Sequence, residues 1–410
     1  MRFVVVTYGT EGDTRPLAAL CRALLDSGHD ARLLADRGTL ATAQSLAIPT
    51  TPLAGDIKGI LQPGGSLSNV ITTSTGFSGM ANALARIANA NTEAWMREVV
   101  AAADGCDAII ASGLAAFVGL SAAECLRVQV IGAGLIPITP TEAFPSPFLP
   151  PTLVPRFLNR ASHRLVNALL WRAFRKATNA ARAKVCGLAP RREGWSSHPM
   201  LYGISPTLVP RPGDWPDNAH VCGQWIPPSP DWSPPGALTD FLAAGEAPIY
   251  IGFGSMAGFD EGRVRKELVA AVAGRRVLFY PGWSGMDASE LPPHFFVVGD
   301  TPHSWLFPRT SLVVHHGGSG TTHSATRAGV PSVVVPFVGD QHFWADRLGH
   351  LGVAPEAVGI KDLRARDLAR SIDLAEREPM RSRAREVGER MRAENGIATG
   401  TAAMEQIVAG

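Results

Sequence analysis

A hydrophobic segment in the second half of the chain leads directly into a turn that combines glycines, histidines and hydroxyl side chains. The segment reads Val313-Val314-His315-His316-Gly317-Gly318-Ser319-Gly320-Thr321-Thr322. Glycines allow the backbone to approach an anion closely, and the first N–H groups of a helix are free donors with a partial positive charge. Because the turn lacks the P-loop lysine, it predicts a site for a diphosphate and not for a nucleoside triphosphate. A plain tight turn is the alternative.

Two further turns follow predicted strands in the same half of the chain. In Gly252-Phe253-Gly254-Ser255-Met256, Ser255 stands where it could face a phosphate. In Pro336-Phe337-Val338-Gly339-Asp340-Gln341-His342, a carboxylate beside an amide supplies one strong acceptor and one mixed donor and acceptor. That pair suits sugar hydroxyls, although Asp340 could instead cap a helix.

A single acid near the start of the chain is the candidate for proton transfer. Asp13 follows the predicted strand Phe3–Thr7 in the loop Gly9-x-x-Gly12-Asp13, before a helix predicted from about Pro16. This loop is not Gly-x-Gly-x-x-Gly, and a carboxylate there would repel a pyrophosphate. Asp36 lies near the end of the second predicted strand, where a dinucleotide-binding fold has the acid that binds the ribose, so a dehydrogenase is an alternative. Asp13 itself is either a helix cap worth about 1 kcal/mol or a general base facing a cleft.

The elements that position these residues alternate between predicted strands and helices, which is typical of parallel sheets. The interval 199–236 differs, because it holds ten prolines in 38 residues. The sequence therefore predicts an α/β protein with two Rossmann-like domains that face each other across a cleft. The predicted parts are a first domain over 1–205, a proline-rich linker over 206–236, a second domain over 237–385 and a C-terminal helix over 386–410, which could cross back to the first domain.

Composition excludes several classes of partner and site. A chain of 410 residues is longer than one hydrophobic core usually supports, and a net charge of +2 provides no global field for nucleic acid. The five cysteines are odd in number and none is close to another, so neither a disulfide framework nor a zinc site is expected. Met1 and Arg2 lead directly into a predicted strand, without the pattern of a signal peptide. The sequence thus predicts a cytoplasmic protein.

These residues resemble a known family. The resemblance rests on 302–308, on His315 to Thr322, on Arg327-Ala328-Gly329-Val330-Pro331 and on Pro336-Phe337 with Gly339-Asp340-Gln341. This pattern is similar to the donor signature of family 1 glycosyltransferases with the GT-B fold, above all the sterol glucosyltransferases and the bacterial enzymes that glycosylate natural products. The resemblance covers the whole chain in architecture and is most specific over 302–353.

The resemblance implies an inverting transfer of a hexose, usually glucose from UDP-glucose, to a hydroxyl of a lipophilic acceptor such as a sterol or polyketide. It implies no metal and no cofactor beyond the sugar nucleotide as co-substrate, and places acceptor binding in the first domain. Asp13 falls on the proposed base, and Asp340 with Gln341 on the pair that grips the sugar. The residues that fall on the diphosphate site are Ser255, His315, Gly318, Ser319, Gly320 and Thr321.

The chain departs from the family pattern in two places. Where the plant signature has a tryptophan that stacks on uracil, this chain has Gly299 or Asp300, and Trp305 is offset by several residues. A dTDP-sugar therefore stays open as the donor. The N-terminal loop also lacks the histidine of the family's His-Asp dyad, so burial would have to raise the pKa of Asp13 for it to act as a base. A sugar-nucleotide epimerase and a sugar-nucleotide binding protein without catalysis are the alternative functions.

The segment from 143 to 192 is basic and contains no acidic residue. Its ten Arg and Lys residues accompany a predicted helix that carries Leu165, Leu169, Trp171 and Phe174. One interpretation is a helix packed on the core of the first domain. The other is peripheral contact of 144–176 with the inner face of a membrane, where a lipophilic acceptor would be collected.

Overall fold

The computed structural model describes residues 1–61, 77–228, 232–257 and 259–410. Within them the strands form two separate sheets, and every strand pair is parallel. Crossover connections, most of them helical, link successive strands, as parallel pairing requires. The predicted class, α/β with two Rossmann-like domains, is confirmed.

The first sheet has the strand order β3-β2-β1-β4-β5-β6-β7. Chain order reverses between β1 and β4, and a crevice at such a reversal is where open α/β sheets bind ligands. The strands are β1 (Arg2–Val6), β2 (Asp30–Asp36), β3 (Thr50–Leu53), β4 (Ala108–Ala111), β5 (Gln129–Gly134), β6 (Met200–Tyr202) and β7 (Ala219–Val221). The helices are α1 (Glu11–Asp26), α2 (Ala41–Ser45), α3 (Ile57–Leu61), α4 (Phe77–Ala102), α5 (Ala116–Leu126) and α6 (Asn159–Cys186).

The second sheet has the order β10-β9-β8-β11-β12, with its reversal between β8 and β11. Its strands are β8 (Ile249–Gly252), β9 (Val277–Tyr280), β10 (Phe295–Val297), β11 (Leu312–His315) and β12 (Ser332–Val334). The remaining helices are α7 (Gly236–Ala243), α8 (Glu261–Val272), α9 (His303–Leu306), α10 (Ser319–Ala328), α11 (Gln341–His350), α12 (Ala365–Ala375), α13 (Glu378–Arg392) and α14 (Gly396–Ala409).

Two predicted boundaries are wrong. Helix α1 begins at Glu11 and not near Pro16, because Thr10 adopts the extended backbone of an N-cap and the next residues already form the first turn. The linker predicted over 206–236 contains β7, which pairs with β6 at the edge of the first sheet. Proline is tolerated in a strand at the edge of a sheet, so the many prolines here do not mark the whole segment as a linker between the domains.

The end of the chain crosses back to the first domain. The segment predicted as one helix over 386–410 is divided between α13 and α14, and α14 packs on α1 through Ile397 and Met404. Two stretches of chain thus join the domains, and they touch at Gly223 and Gly396. A Cβ on Gly396 would lie 2.3 Å from the carbonyl carbon of Gly223, so a side chain there would force the two backbones apart.

Candidate active site

Strand register brings the three glycine-containing turns of the second domain together. His315 at the end of β11 is paired with Gly252 of β8 and with Val334 of β12, so the turns that follow these strands meet at one edge. A Cβ on Gly317 would lie 3.0 Å from the Gln341 carbonyl oxygen, and one on Gly254 3.0 Å from the His316 ring. Glycine at these positions is therefore what allows the three turns to pack against each other.

His315 is fully buried and carries a donor without an acceptor. Its Nδ1 accepts a hydrogen bond from the Gly317 N–H at 3.1 Å, which places the proton of the neutral ring on Nε2. Within the described residues Nε2 has no partner. Burial, with His316 and His303 nearby, lowers the pKa of His315 to about 3. The ring is thus neutral at physiological pH and offers one N–H donor.

The residues after His315 form the start of α10. Gly318 is the extended N-cap, and no side chain caps the first turn, which comprises Ser319, Gly320 and Thr321. Ser319 and Thr321 are half-buried, and Gly320 is exposed. Free N–H groups and two hydroxyls at a helix N-terminus are a set that binds anions.

The Asp340 carboxylate stands before α11 and is held by one strong hydrogen bond. Trp344 Nε1 donates to Asp340 Oδ2 at 2.7 Å. Burial raises the pKa of Asp340 to about 6, and the negative charge of Asp13 across the cleft adds to the increase, against the opposing effect of the Trp344 hydrogen bond. Asp340 also contributes to the wall of the cavity described below.

The Gln341 side chain supports the turn to which it belongs. Its Oε1 accepts hydrogen bonds from the backbone N–H groups of Phe337 at 2.7 Å and Val338 at 3.1 Å. Its Nε2 lies 3.2 Å from the sulfur of Met256, which is a weak acceptor. The amide oxygen is therefore committed to holding its own turn, and only the amide nitrogen could exchange its partner for a ligand.

Asp13 serves the helix and faces the cleft at the same time. It is the third residue of α1, and its Oδ2 accepts a hydrogen bond from the Thr10 N–H at 2.8 Å. A Cβ on Gly9 would lie 2.2 Å from the same oxygen, so glycine makes room for the carboxylate. Burial raises the pKa of Asp13, although the Thr10 hydrogen bonds oppose that shift. The cap and the base interpretations are compatible in this geometry.

A cavity of about 1990 Å³ lies between the two domains. Asp13 reaches it from the first domain, and Ser255, Asp340 and Gln341 reach it from the second. The cavity wall does not include His315, Gly318, Ser319, Gly320 or Thr321, which flank Gly317, and Gly317 packs on Gln341. The structure thus brings four of the predicted site residues to one cavity and the other five to an adjoining turn.

The side of the cavity formed by the first domain is aromatic. Phe117 packs edge-on against Trp171 with ring centroids 5.1 Å apart, and it stacks on Trp195 at 6.2 Å. Phe174 completes the group at 5.6 Å from Phe117. All four side chains line the cavity, so this wall suits a large apolar compound.

Two further features of the site were not predicted. Arg15, two residues after Asp13, forms an ion pair with Asp300 of the second domain, one of the two residues that could stand where the plant signature has its tryptophan. The i, i+4 spacing of Glu11 and Arg15 was the available signal for an ordered arginine, and the two side chains are paired at 2.9 Å. The Thr10-x-x-Asp13 spacing likewise resembles a capping box.

Asp36 does not fit the role it would have in a dehydrogenase. It is fully buried, and its two carboxylate oxygens accept hydrogen bonds from the N–H groups of Gly38 at 2.8 Å and Ile57 at 3.0 Å. A ribose-binding acid needs an accessible oxygen. Asp36 instead ties together two loops after β2 and β3.

The described ranges contain neither a cluster of metal ligands nor a helix that could span a membrane. No group of three His, Cys, Asp or Glu side chains there is arranged to hold a metal ion. Nor does any helix of the described part combine the length and the apolar character needed to cross a membrane.

A domain family, curated relatives and solved structures are similar to this chain. Residues 265–402 match the C-terminal domain family of the erythromycin biosynthesis protein CIII type. A sterol 3-beta-glucosyltransferase of Neurospora crassa is 32% identical over 97% of this chain, and the chain spans about a quarter, 27%, of that relative's length. The glycotransferase of kitacinnamycin superposes with a TM-score of 0.70 at 17% identity, covering 99% of this chain and 98% of the other. The glycosyltransferase VinC, solved with dTDP, superposes with a TM-score of 0.64 at 16% identity and full coverage of both chains, 100% each.

Proposed function

The chain belongs to the family 1 glycosyltransferases of the GT-B fold, near their sterol branch, and from this premise we propose that it transfers a hexose to a lipophilic acceptor. The proposed donor is UDP-glucose, and the proposed acceptor group is a hydroxyl of a sterol, a polyketide or a related compound. Transfer would invert the anomeric carbon and need no metal. A sterol acceptor and glucose are what the name of the Neurospora crassa relative supports.

The observation that carries the proposal is the unequal character of the cavity walls. One side presents Asp340 and Ser255 beside the diphosphate-binding turn, and the other presents the aromatic group around Phe117. Ligand pockets usually measure about 300–1,000 Å³, so a cavity of about 1990 Å³ has room for a sugar and a large apolar compound together. An epimerase that acts on the donor alone has no use for the aromatic half.

Asp13 is the proposed base. It enters the cavity from the first domain, whereas Asp340 enters from the second, so an acceptor hydroxyl near Asp13 would face a sugar held near Asp340. As the acceptor oxygen bonds to the anomeric carbon and the diphosphate leaves, Asp13 would take the hydroxyl proton. The raised pKa of Asp13 strengthens it as a base, because a carboxylate with an ordinary pKa is a poor match for an alcohol.

The leaving diphosphate would be held by the turn after β11. The donors would be the Nε2–H of His315 and the uncapped N–H groups of Ser319, Gly320 and Thr321, with Ser255 on the neighbouring turn, and no metal ion would be needed.

The residues that would bind the base of the nucleotide are less well defined than those that would bind the diphosphate. One face of the Trp305 ring is covered by Arg309, which lies over it at 4.2 Å, and Trp232 packs against the same ring at an angle of 58°. The dTDP bound by VinC keeps a dTDP-sugar as the alternative donor.

Acceptor-dependent release of the nucleoside diphosphate tests the function. The purified protein is incubated with UDP-glucose or a dTDP-hexose, with and without a panel of sterols and polyketides, and products are identified by mass spectrometry. Transfer predicts release of UDP or dTDP together with a glycosylated acceptor. Interconversion of the donor without an acceptor would indicate an epimerase, and binding without any turnover a non-catalytic protein.

A further inference from the structure

Exposed apolar side chains are concentrated in one short segment of the first domain. Seven large hydrophobic side chains are exposed in the described part of the chain, and five of them lie between residues 153 and 169. They are Leu153, Phe157, Leu158, Leu165 and Leu169. Phe157 is 85% exposed and Leu153 is 73% exposed. Single exposed apolar residues are ordinary, whereas a contiguous group marks a surface that contacts something.

The two faces of α6 have different roles. Leu158, Leu165 and Leu169 are separated by seven and four residues, which places them along one stripe of the helix. The opposite stripe buries Trp171 and Phe174 against the first domain. One face of the helix therefore packs on the core, and the other face presents leucines to solvent.

No exposed large hydrophobic side chain of the described residues lies between 143 and 152. Phe144 is buried and packs on Phe343 of the second domain with ring centroids 5.3 Å apart. The exposed apolar surface predicted over 144–176 is thus limited to 153–176.

The exposed stripe is surrounded by positive charge that no acid neutralises. Arg160, Arg182, Lys184 and Arg191 are paired with acids of neighbouring elements. The remaining basic residues between 153 and 176 are exposed and form no ion pair with any described residue. They are Arg156, Arg164, Arg172, Arg175 and Lys176. A surface that combines apolar side chains with unpaired cations suits an anionic lipid surface.

The same surface borders the cavity. Arg164, Arg172 and Arg175 contribute to the cavity wall, as do Asn167 and Ala168 on the adjoining turn of α6. The exposed leucines of the same helix therefore lie close to the entrance on the aromatic side.

We propose that the face formed by Leu153, Phe157, Leu158, Leu165 and Leu169, with the five unpaired cations around them, binds to an anionic membrane surface. A second copy of the chain is a poorer occupant, because a two-fold contact would bring ten unpaired cations together. The membrane contact goes beyond the proposed transfer and does not depend on it. The two combine if the acceptor is a membrane lipid, which would then reach the cavity directly from the bilayer.

Flotation with lipid vesicles tests the proposal. The protein is mixed with vesicles of phosphatidylcholine alone or of phosphatidylcholine with phosphatidylglycerol. We expect binding to the anionic vesicles that weakens as salt is added. Replacing both Leu153 and Phe157 by serine should reduce the partition coefficient at least tenfold, because each exposed side chain loses its transfer into the interface. R156Q should reduce it by about fivefold, and K176Q by about the same factor. None of these four residues lines the cavity, so turnover of a water-soluble acceptor should stay unchanged.

Val297 provides the matched control. It is 43% exposed on the second domain, and V297S should leave vesicle binding unchanged. The proposal is overturned if the unmodified protein does not float with anionic vesicles, or if the Leu153 and Phe157 variant floats as well as V297S does. It is equally overturned if light scattering shows a dimer that this variant converts to monomer, since the face would then be an interface between copies. Circular dichroism and thermal melting establish that each variant is folded.

Discussion

Arg15 and Asp300 form a two-contact ion pair between the domains. The distance from Nη2 to Oδ2 is 2.6 Å, and the distance from Nη1 to Oδ1 is 3.3 Å. Arg15 lies one helical turn after Glu11, with which it is also paired, and Asp300 follows β10 on the opposite side of the cleft. The pair therefore connects the helix that carries Asp13 to the domain that carries the proposed donor site.

Breaking this pair should alter the arrangement of the domains more than the stability of the fold. The side chains of Arg15 and Asp300 are 38% and 65% exposed, so Asp300→Asn should lower the free energy of unfolding by less than about 1 kcal/mol. Salt screens such a pair, so the radius of gyration of the unmodified protein should increase with ionic strength. In small-angle X-ray scattering, Asp300→Asn should have, at every ionic strength, the radius of gyration that the unmodified protein reaches at high salt. Arg97→Gln, which breaks an exposed pair inside one helix, should retain the salt response of the unmodified protein.

Asp13→Asn separates the base from the cap. Asparagine can still accept the Thr10 N–H through its amide oxygen, but it cannot take a proton at neutral pH. We expect turnover to fall by about 10²–10⁴-fold with little change in melting temperature. Asp13→Ala should lose the same activity and, in addition, about 1 kcal/mol of stability. Glu11→Gln, in the same helical turn, is the control and should retain most of the turnover. An active Asp13→Asn enzyme would leave Asp13 with the cap alone.

Asp340 should make the protein more stable as the pH falls toward 4. Its pKa is raised to about 6 in the folded protein, from 3.8 as an ordinary value, so the folded state binds the proton more tightly than the unfolded state does. The cost of the buried charge is present above about pH 6 and disappears as the pH falls between 6 and 4. Asp340→Asn should therefore unfold at a higher urea concentration than the unmodified protein at pH 8 and at a similar concentration at pH 4. An Asp340→Asn variant that is less stable at both pH values would contradict the assigned burial.

Asp340→Asn should also slow sugar transfer, while its affinity for UDP stays nearly intact.

Gln341→Ala should behave differently from Asp340→Asn, although the two residues are adjacent. The Gln341 side chain holds the N–H groups of Phe337 and Val338, so its loss leaves both without this partner. We expect a loss of about 1–3 kcal/mol in the free energy of unfolding, measured by urea denaturation. Turnover should fall with it, since the turn that carries Asp340 would lose its support. If stability is unchanged and only the affinity for the sugar falls, the original expectation of a direct sugar contact is the better one.

His315→Ala should weaken UDP binding and turnover together. The Nε2–H donor would contact a phosphate in the ground state and in the transition state alike. Because the pKa of His315 is lowered to about 3, the affinity for UDP should show no inflection from this residue between pH 5 and pH 8. Calorimetry with UDP measures both properties. The exposed His350 provides the control, and His350→Ala should bind UDP normally. A folded His315→Ala variant with unchanged affinity would remove this residue from the site.

The alternation of elements and the position of each turn could be predicted from the sequence because both are local. A hydrophobic segment followed by Gly254 or by Gly317 fixes a strand end and a turn within a few residues. The approach of Gly317 to Gln341 then follows from parallel pairing of neighbouring strands. Asp13, Ser255, Asp340 and Gln341 could thus be placed at one cleft without a structure.

What could not be predicted depends on contacts between distant segments. The pairing of β7 with β6 depends on strand addition at a sheet edge, for which the prolines of 206–236 gave the opposite signal. The use of Gln341 as a support depends on the path of two backbone N–H groups, and the Arg15–Asp300 pair on the angle between the domains. The type of a side chain predicts which groups it can bind, whereas the fold determines which of those groups lies next to it.

The contact of Gly223 with Gly396 is one part of a broader contact between the domains. Phe144 packs on Phe343, and a shared apolar cluster joins Ile204 to Trp344. Because these packed side chains would have to separate for the domains to slide, we expect the cleft to widen and narrow by rotation about this contact, with little sliding of one sheet edge along the other. Asp13 and Asp340 would then separate and return along one arc, so the alignment of acceptor and donor would be restored at every closure without being searched for again.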